Sequence, residues 1–264
     1  LVRFRRMPER EAWARVEAQA DDAARRAAAD VILDSGRGLQ ALEAQVQALW
    51  ADRLLPFEAN LRDRVRAVRG PARVVPPHPG WPDAARRLTG RIRRAIEAAG
   101  AADATVDHIG STAVPGLPAK DVIDLMVGVD DLAQADALRP ALERAGFASV
   151  PGIRKDNPHP AVGGSAEDWA KRFHAGCDPG RPVNLHLRVR GGPGWRTALL
   201  MRDWLRADDA AREEYAKLKL TLAAAGPDEG EYAQAKEPWV AGAVPRAVAW
   251  ADANGHSVRG HAYR

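Results

Sequence analysis

The residues best able to do chemistry lie in one stretch, HIGSTAVPGLPAKDVIDLMV, at positions 108–127. It holds a turn formed by Gly110 and Ser111, the lysine Lys120, and the aspartate Asp124 within an otherwise apolar run. Backbone N–H groups and a hydroxyl at such a turn can hold a phosphate oxygen. A carboxylate in a buried strand is costly unless it is hydrogen-bonded, paired or bound to a metal. The stretch therefore predicts either a phosphate-binding, metal-dependent site or a buried aspartate that accepts hydrogen bonds from the turn.

The elements that must position this stretch fall into two blocks. In the first, residues 8–28 predict a helix, residues 30–36 a short buried strand, and the residues from Leu39 onward a second helix with an apolar face. A lone strand without a partner does not fold independently, so we expect this block to be part of a larger fold. The prolines of residues 66–82 favour an extended connection, which separates the two blocks.

The second block predicts an α+β domain, because its strands are grouped early and its helices late. The run VNLHLRV at 183–189 alternates, which puts Asn184, His186 and Arg188 on its polar face. The other predicted elements are a helix containing Ala85, Leu88, Ile92 and Ile96, strands near 104–109 and 122–129, a helix containing Leu132, Leu138 and Leu142, and helices from Trp195 onward.

The order of strand, Gly-Ser turn, loop (112–120) and acidic strand resembles the signature of the nucleotidyltransferase superfamily. More narrowly, HIGSTAVPGLPAKDVID, RFH at 172–174, VNLHLR at 183–188, RDWLR at 202–206 and the late EYAKLK and EYAQAK segments resemble the GrpB family over about residues 73–250. The resemblance implies a GrpB-like mixed sheet packed by helices. It also implies a pocket that binds a nucleotide, with ATP favoured, together with Mg²⁺.

That resemblance assigns Asp124 as the metal ligand, and Asp124 and Asp121 as the candidate catalytic carboxylates. Enzymes of the superfamily usually carry two carboxylates on alternate residues of the strand, but here Met126 holds the second position. Asp121 would have to turn back to share a metal ion with Asp124. His186 could ligate a metal or contact a phosphate, or be a hydrogen-bonded structural histidine. The candidate nucleotide- or phosphate-binding residues are Gly110, Ser111, Lys120, His108, His186, Arg172 and Lys236, and Lys219 could complete the same anion pocket.

The first sixty residues resemble the C-terminal end of the dephospho-CoA kinase family. The matching positions are Arg15, Gln19, Arg25, Ala29, Asp30, Gly36 and the helix from Leu39. The resemblance implies a kinase-like segment at 1–62, a linker at 63–72 and a GrpB-like domain at 73–264. Arg15 and Arg25 could then face ATP phosphates, or be solvated helix arginines.

Kinases of this class transfer the ATP γ-phosphoryl group to the 3′-hydroxyl of dephospho-CoA in coenzyme A synthesis. They need a P-loop, G-x-x-x-x-G-K-[ST], and no such motif occurs in the chain. The helix-strand-helix block is thus expected to be an incomplete piece of a P-loop kinase, with the upstream P-loop domain as its partner. These residues alone are not expected to catalyse that transfer.

The composition of the chain argues against several other classes of protein. The formal net charge is +4, but 39 basic residues stand against 35 acidic ones, so we expect a mixed surface and no nucleic-acid partner. No run approaches the roughly 18 apolar residues of a membrane span, so no membrane partner is expected. The single cysteine, Cys177, excludes an internal disulfide and fits a cytoplasmic location.

Three functions remain open from the sequence. The first is the C-terminal portion of a dephospho-CoA kinase whose GrpB-like domain is accessory, binding a nucleotide or a CoA precursor or aiding folding. The second is a Mg²⁺-dependent nucleotidyl or phosphoryl transferase that uses Ser111, Lys120 and Asp124. The third is a non-catalytic interaction module, because a fold by itself licenses no activity.

Overall fold

The computed structural model of the chain describes residues 7–257, apart from the side chain of Glu229. Internal contacts divide the chain into two units, residues 1–45 and residues 46–264. Across the part that is described, no helix combines the length and the apolar character needed to cross a membrane.

The first unit contains two short helices, α1 (Glu9–Glu17) and α2 (Asp22–Ala28), and the start of α3 (Leu39–Leu49). The continuous helix predicted over 8–28 is therefore interrupted. The Asp21 carboxylate accepts a hydrogen bond of 2.6 Å from the Ala24 N–H and so caps a new helix.

The strand predicted over 30–36 is not formed. A strand needs a neighbouring ladder for its backbone groups, and the described part of this unit offers none. The apolar side chains that suggested a buried strand are instead exposed: Val31, Ile32 and Leu33.

The predicted helix from Leu39 continues further than its apolar face suggested. After α3 the chain makes a wider π-helical turn (Trp50–Leu54) and then forms α4 (Leu55–Asp63). Two contacts tie this segment to the second unit. Arg53 forms a two-pronged ion pair with Asp178, and Asn60 donates to the Cys177 carbonyl at 2.8 Å. Residues 46–63 thus pack within the larger unit.

A five-stranded mixed sheet forms the centre of the second unit. The strands of this sheet are β2 (Thr105–Ile109), β4 (Ile123–Val129), β5 (Phe147–Ser149), β6 (Lys171–Gly176) and β7 (Val183–Val189), and a separate two-stranded pair joins β1 (Val74–Val75) to β3 (Ala119–Lys120). The strand order of the sheet is β2-β4-β7-β6-β5, in which only the β4–β7 pair is parallel. The strands predicted near 104–109, 122–129 and 183–189 are confirmed, whereas β5 and β6 had no counterpart in the sequence prediction.

Helices cover both faces of this sheet, which explains why β4 is apolar on both sides. On one face, Leu125 and Val127 pack against α5 (Trp81–Ala98) and α6 (Leu132–Arg144), and on the other, Met126 packs against the later helices. The predicted α+β class with a mixed sheet is confirmed. The helices of this unit after α4 are α5 (Trp81–Ala98), α6 (Leu132–Arg144), α7 (Pro193–Ala207), α8 (Asp209–Ala224), α9 (Glu229–Ala235) and α10 (Glu237–Ala253).

Candidate functional site

Asp124 lies near the start of β4, directly beside Asn184 in the parallel neighbour β7. The Asn184 amide donates a hydrogen bond of 2.8 Å to Asp124 Oδ1. Arg69 fixes the orientation of that amide by donating to Asn184 Oδ1 at 2.9 Å and to the Val183 carbonyl at 2.8 Å. Burial raises the pKa of Asp124, opposed by the Asn184 bond and by nearby cations led by Lys236. The hydrogen-bond donor to this carboxylate is thus a side chain of the neighbouring strand β7.

Gly110 passes so close to Asp124 that no side chain fits there. Its φ is +68°, and a Cβ at this position would lie 2.6 Å from Asp124 Oδ2. The next residue, Ser111, begins a single 3₁₀ turn (Ser111–Ala113) and hydrogen-bonds with the Tyr215 hydroxyl. The Tyr215 ring stacks on Trp239 with ring centroids 4.2 Å apart. The predicted Gly-Ser turn and Asp124 therefore form one packed unit.

Three lysines surround the other side of Asp124. Lys120 ends β3, Lys219 lies in α8, and Lys236 follows α9. Together with Asp124 and Tyr232 they line a recess of about 160 Å³, which we call the lysine recess. The ammonium groups of Lys120 and Lys236 lie 5.3 and 4.8 Å from the centroid of the Tyr232 ring.

Lys219 is the most buried of the three lysines, with 2% of its surface exposed. Its ammonium group donates to the Pro118 carbonyl. Burial, followed by repulsion from Lys236, lowers the pKa of Lys219 to about 7. Burial also lowers the pKa of Lys236, against the attraction of Asp124. The recess thus gathers three lysine side chains around Asp124 and Tyr232.

A second cavity, of about 310 Å³, adjoins the recess and shares Ser111, Asp124 and Lys236 with it. This volume is at the lower end of the range for small-molecule pockets. Its wall combines charged and apolar side chains. The apolar ones are Ile109, Trp169, Ala198, Met201, Leu205 and Val240.

Asp156 organises the charges of this larger cavity. It accepts two hydrogen bonds from Arg188, of 2.7 and 2.9 Å, and one from Lys171. Burial would raise the pKa of Asp156, but Arg188 and Lys171 outweigh it and lower the pKa. Arg188 also places a guanidinium nitrogen 3.4 Å from the Met126 sulfur. A cation therefore lies beside Met126, the position at which the predicted metal site would need its second carboxylate.

His186 lies between these two charge clusters. Its Nε2 is 4.0 Å from Asp124 Oδ1, and its Nδ1 is 3.4 Å from the Lys171 ammonium. Burial, with repulsion from Arg188 and Lys171, holds the pKa of His186 well below its usual value. The imidazole is thus neutral at pH 7.

The donor set around Asp124 does not fit a two-metal site. Asp121, the predicted companion, accepts hydrogen bonds from Trp81 Nε1 at 2.8 Å and from Arg181 at 2.7 Å instead. Over residues 7–257, no three His, Cys, Asp or Glu side chains group as a metal site. Mg²⁺ prefers an octahedron of oxygen ligands, whereas ammonium groups and an amide surround Asp124.

The structure brings Gly110, Ser111, Lys120, Asp124, His186 and Lys236 together around the two cavities, with Lys219 beside them. Two further predicted residues lie elsewhere. His108 Nε2 is 2.9 Å from the Thr112 hydroxyl, and burial, aided by Arg206 and Arg202, lowers its pKa to about 4. Arg172 makes a bidentate pair with Asp136 at 2.7 and 2.8 Å.

The predicted kinase residues lie in the first unit. Arg15 pairs with Glu11 at 3.1 Å and Arg25 with Asp22 at 3.6 Å, both on the helix surface. Near the C-terminal end of the described residues, His256 contacts Asp203 at 3.3 Å. His261 lies outside the described residues.

Several site residues were not identified as such from the sequence. The alternation of β7 placed Asn184 and Arg188 on the polar face, and that signal could have assigned both to the site. Tyr215 and Tyr232 stand in the EYAKLK and EYAQAK segments, where one tyrosine precedes each of two site lysines by four residues, Lys219 and Lys236. Asp156 lies in an irregular loop and carried no signal.

Comparison with known proteins identifies the family of this chain. Residues 71–246 match the family described as GrpB protein. A UPF0157 protein of Deinococcus radiodurans is 34% identical over 179 residues, covering 66% of this chain and 82% of the relative. The crystal structure of conserved protein GrpB from Enterococcus faecalis has a TM-score of 0.52 at 24% identity, covering 66% of this chain and 96% of that one, which supports the fold.

A relative named dephospho-CoA kinase, from Mycobacterium tuberculosis, is 45% identical over 266 residues. The alignment covers 96% of this chain, which spans 64% of the length of that relative. A protein of the same name from Mycolicibacterium paratuberculosis is 42% identical, and the chain spans 65% of it. From the extent of the family match, the chain belongs to the GrpB protein family.

Proposed function

We propose that the chain is the C-terminal portion of a dephospho-CoA kinase, in which the GrpB domain is an accessory nucleotide-binding domain. The observation that carries this proposal is the alignment over 96% of the chain with relatives of that name, at 45% identity. Because the alignment extends through the first unit, it supports the kinase-like segment as well as the GrpB domain. A cytoplasmic location is part of the proposal, since the buried Cys177 is a free thiol.

An exposed apolar stripe supports a kinase partner. Val46, Trp50 and Leu54 recur every four residues along the α3–α4 segment and are 47%, 57% and 41% exposed. Residues at this spacing lie on one helix face. Since Arg53 and Asn60 bind this segment to the GrpB unit, the stripe offers a separate surface. We assign its occupant as the remaining, P-loop-containing part of the same kinase polypeptide.

Two adjoining parts of the site, the lysine recess and the larger cavity, support a nucleotide as the ligand. The lysine recess offers cations to phosphate oxygens. The adjoining cavity offers apolar walls, including Trp169, Met201 and Leu205, to an organic group. A nucleotide has both chemical parts, as do phosphorylated CoA precursors.

Two measurements test this function. The full-length polypeptide should form ADP from ATP when dephospho-CoA is added, whereas the present chain should not, because it has no P-loop. Calorimetric titration of the present chain with ATP should detect binding that Lys236→Gln weakens and Lys217→Gln does not. Lys217 is a matched control because it is exposed on α8, two residues from Lys219. A full-length protein without this kinase activity would refute the proposal.

The alternative, a Mg²⁺-dependent nucleotidyl or phosphoryl transferase, is favoured by one observation, the contact of the Gly-Ser turn with Asp124. It predicts turnover of a nucleoside triphosphate by the present chain with Mg²⁺, and loss of turnover in Asp124→Asn. Release of pyrophosphate or phosphate by the wild-type chain is the decisive measurement.

A further inference from the structure

His186 and Asp124 are close neighbours that do not hydrogen-bond to each other. His186 Nε2 lies 4.0 Å from Asp124 Oδ1, which is beyond hydrogen-bond distance. Both side chains line the larger cavity, and each keeps part of its surface accessible, 16% for His186 and 26% for Asp124. A ligand in this cavity can therefore contact both residues.

The contact with Lys171 determines which nitrogen of His186 carries the proton. An ammonium group only donates hydrogen bonds, so His186 Nδ1, which is 3.4 Å from Lys171 Nζ, must accept. Burial, with repulsion from Arg188 and Lys171, lowers the pKa of His186 and keeps the ring neutral. A neutral imidazole carries one N–H group, so the proton lies on Nε2. Within residues 7–257 this N–H group has no hydrogen-bond acceptor.

Asp124 presents an acceptor next to this donor. Its Oδ1 accepts one hydrogen bond, of 2.8 Å, from the Asn184 amide. A carboxylate oxygen has two lone pairs, and among the described residues no second donor lies within hydrogen-bond distance of Oδ1. The wall of the cavity thus offers one donor, His186 Nε2–H, and one acceptor, Asp124 Oδ1, 4.0 Å apart.

A donor and an acceptor at this separation match a hydroxyl group. The hydroxyl oxygen can accept from one neighbour while its proton is donated to the other. Two hydrogen bonds of about 2.8 Å can join atoms 4.0 Å apart, because the hydroxyl oxygen lies to one side of the line between them. An ammonium group cannot accept from Nε2–H, and a carbonyl or ionised phosphate oxygen cannot donate to Oδ1.

We infer that Asp124 and His186 form a subsite for a hydroxyl group of the ligand, in which His186 Nε2–H donates to the hydroxyl oxygen and the hydroxyl donates to Asp124 Oδ1. The inference rests on the proposed nucleotide binding and names the ribose as the part of the nucleotide that contacts this pair. Asp124 borders both the lysine recess and the larger cavity. In a nucleotide that spans the two, the part lying between the phosphates and the base is the sugar.

Deoxy nucleotides test the subsite on the unaltered protein. ATP, 2′-deoxy-ATP and 3′-deoxy-ATP are titrated into the full 264-residue chain by calorimetry. At least one deoxy form should bind about tenfold more weakly than ATP, because Asp124 and His186 lose a shared hydrogen-bond partner. If both deoxy forms bind as tightly as ATP, as they would where water alone occupies this position, the inference is wrong.

His186→Phe removes the donor and keeps a ring of similar shape. The preference for ATP over the weaker deoxy form should fall from about tenfold to about twofold in this variant. The control His78→Phe changes an exposed histidine outside both cavities and should leave the preference unchanged. Thermal unfolding shows whether each variant is folded. An undiminished preference in folded His186→Phe would overturn the inference.

Nitrogen-15 NMR of the imidazole rings tests the tautomer and needs no variant. At pH 7 His186 should carry its proton on Nε2, and the Nε2 signal should shift when ribose 5-phosphate is added. A proton on Nδ1, or on both nitrogens, would contradict the donor on which the subsite depends.

The same measurements distinguish failure of this inference from failure of the proposed function. If ATP and both deoxy forms bind equally well, nucleotide binding stands and the hydroxyl subsite is refuted. If ATP does not bind, but ribose 5-phosphate binds and His186→Phe weakens it, the subsite stands and the nucleotide function is refuted. If neither compound binds, both are refuted.

Discussion

Gly110→Ala is the substitution that most directly tests the geometry of the site. Gly110 has φ +68° and ψ −168°, a region that only glycine adopts readily. Holding a residue with a side chain there costs about 1–3 kcal/mol. The new Cβ would also lie 2.6 Å from Asp124 Oδ2 and 2.9 Å from Asp124 Cβ, well inside van der Waals contact.

Such overpacking costs a further amount of about 1–3 kcal/mol. We therefore expect the free energy of unfolding of the second unit to fall by about 4 kcal/mol. For a domain of about 200 residues this lowers the melting temperature by about 8–16 °C.

The matched control is Gly90→Ala, since Gly90 is exposed within α5 and an added Cβ there meets no atom within 4 Å. Alanine in a helix interior is expected to add about 0.5–1 kcal/mol of stability relative to glycine. Thermal unfolding followed by far-ultraviolet circular dichroism measures both variants. A melting temperature of Gly110→Ala within about 2 °C of wild type would refute the reasoning.

Two other expectations concern stability. Arg53→Ala should lower the free energy of unfolding by about 2 kcal/mol, because Asp178 is buried and loses a bidentate partner. The control Arg62→Ala, on the exposed surface, should lower it by at most about 0.5 kcal/mol. Urea unfolding of both variants measures this, and equal costs would mean that the α3–α4 segment is not anchored at Asp178. Lys219 has a folded pKa of about 7 against an ordinary value of 10.5, so between these values the unfolded chain binds more protons and stability rises with pH. Lys219→Met should remove this increase in the free energy of unfolding, which is at most about 1.4 kcal/mol per pH unit. Urea unfolding at several pH values above 7 measures the pH dependence of both proteins. The same dependence in wild type and variant would contradict the expectation.

The sequence by itself determined the elements whose pattern is local and regular. The helix at Trp81–Ala98, the apolar strand β4 and the alternating strand β7 were all readable, because burial of one or both faces imposes a fixed period on the side chains. The Gly-Ser turn followed by Asp124 was noticed because an aspartate within an apolar run requires a partner, and the resemblance to the GrpB family indicated a site there.

The sequence was less informative where a strand forms only by pairing with another strand that is distant in the chain. The run at 30–36 is as apolar as a buried strand, but the described first unit provides no strand beside it. Strands β5 and β6 are short or carry polar residues, and they form because they pair with each other and with β7. Local pattern cannot report such pairing, because it depends on residues far away in the chain.

Only the tertiary structure decided what surrounds Asp124. Lys120, Lys219 and Lys236 come from three separate elements, and their convergence on one recess follows from how α8 and the α9–α10 turn pack beside β3 and β4. The same packing directs Asp121 to Arg181 and Trp81, away from the recess. The sequence thus indicated a carboxylate beside a glycine turn and named these lysines as candidates for an anion pocket. The fold decided that the lysines line one recess with Asp124 and that Asp121 does not, because the neighbours of a buried site are set by groups distant in sequence.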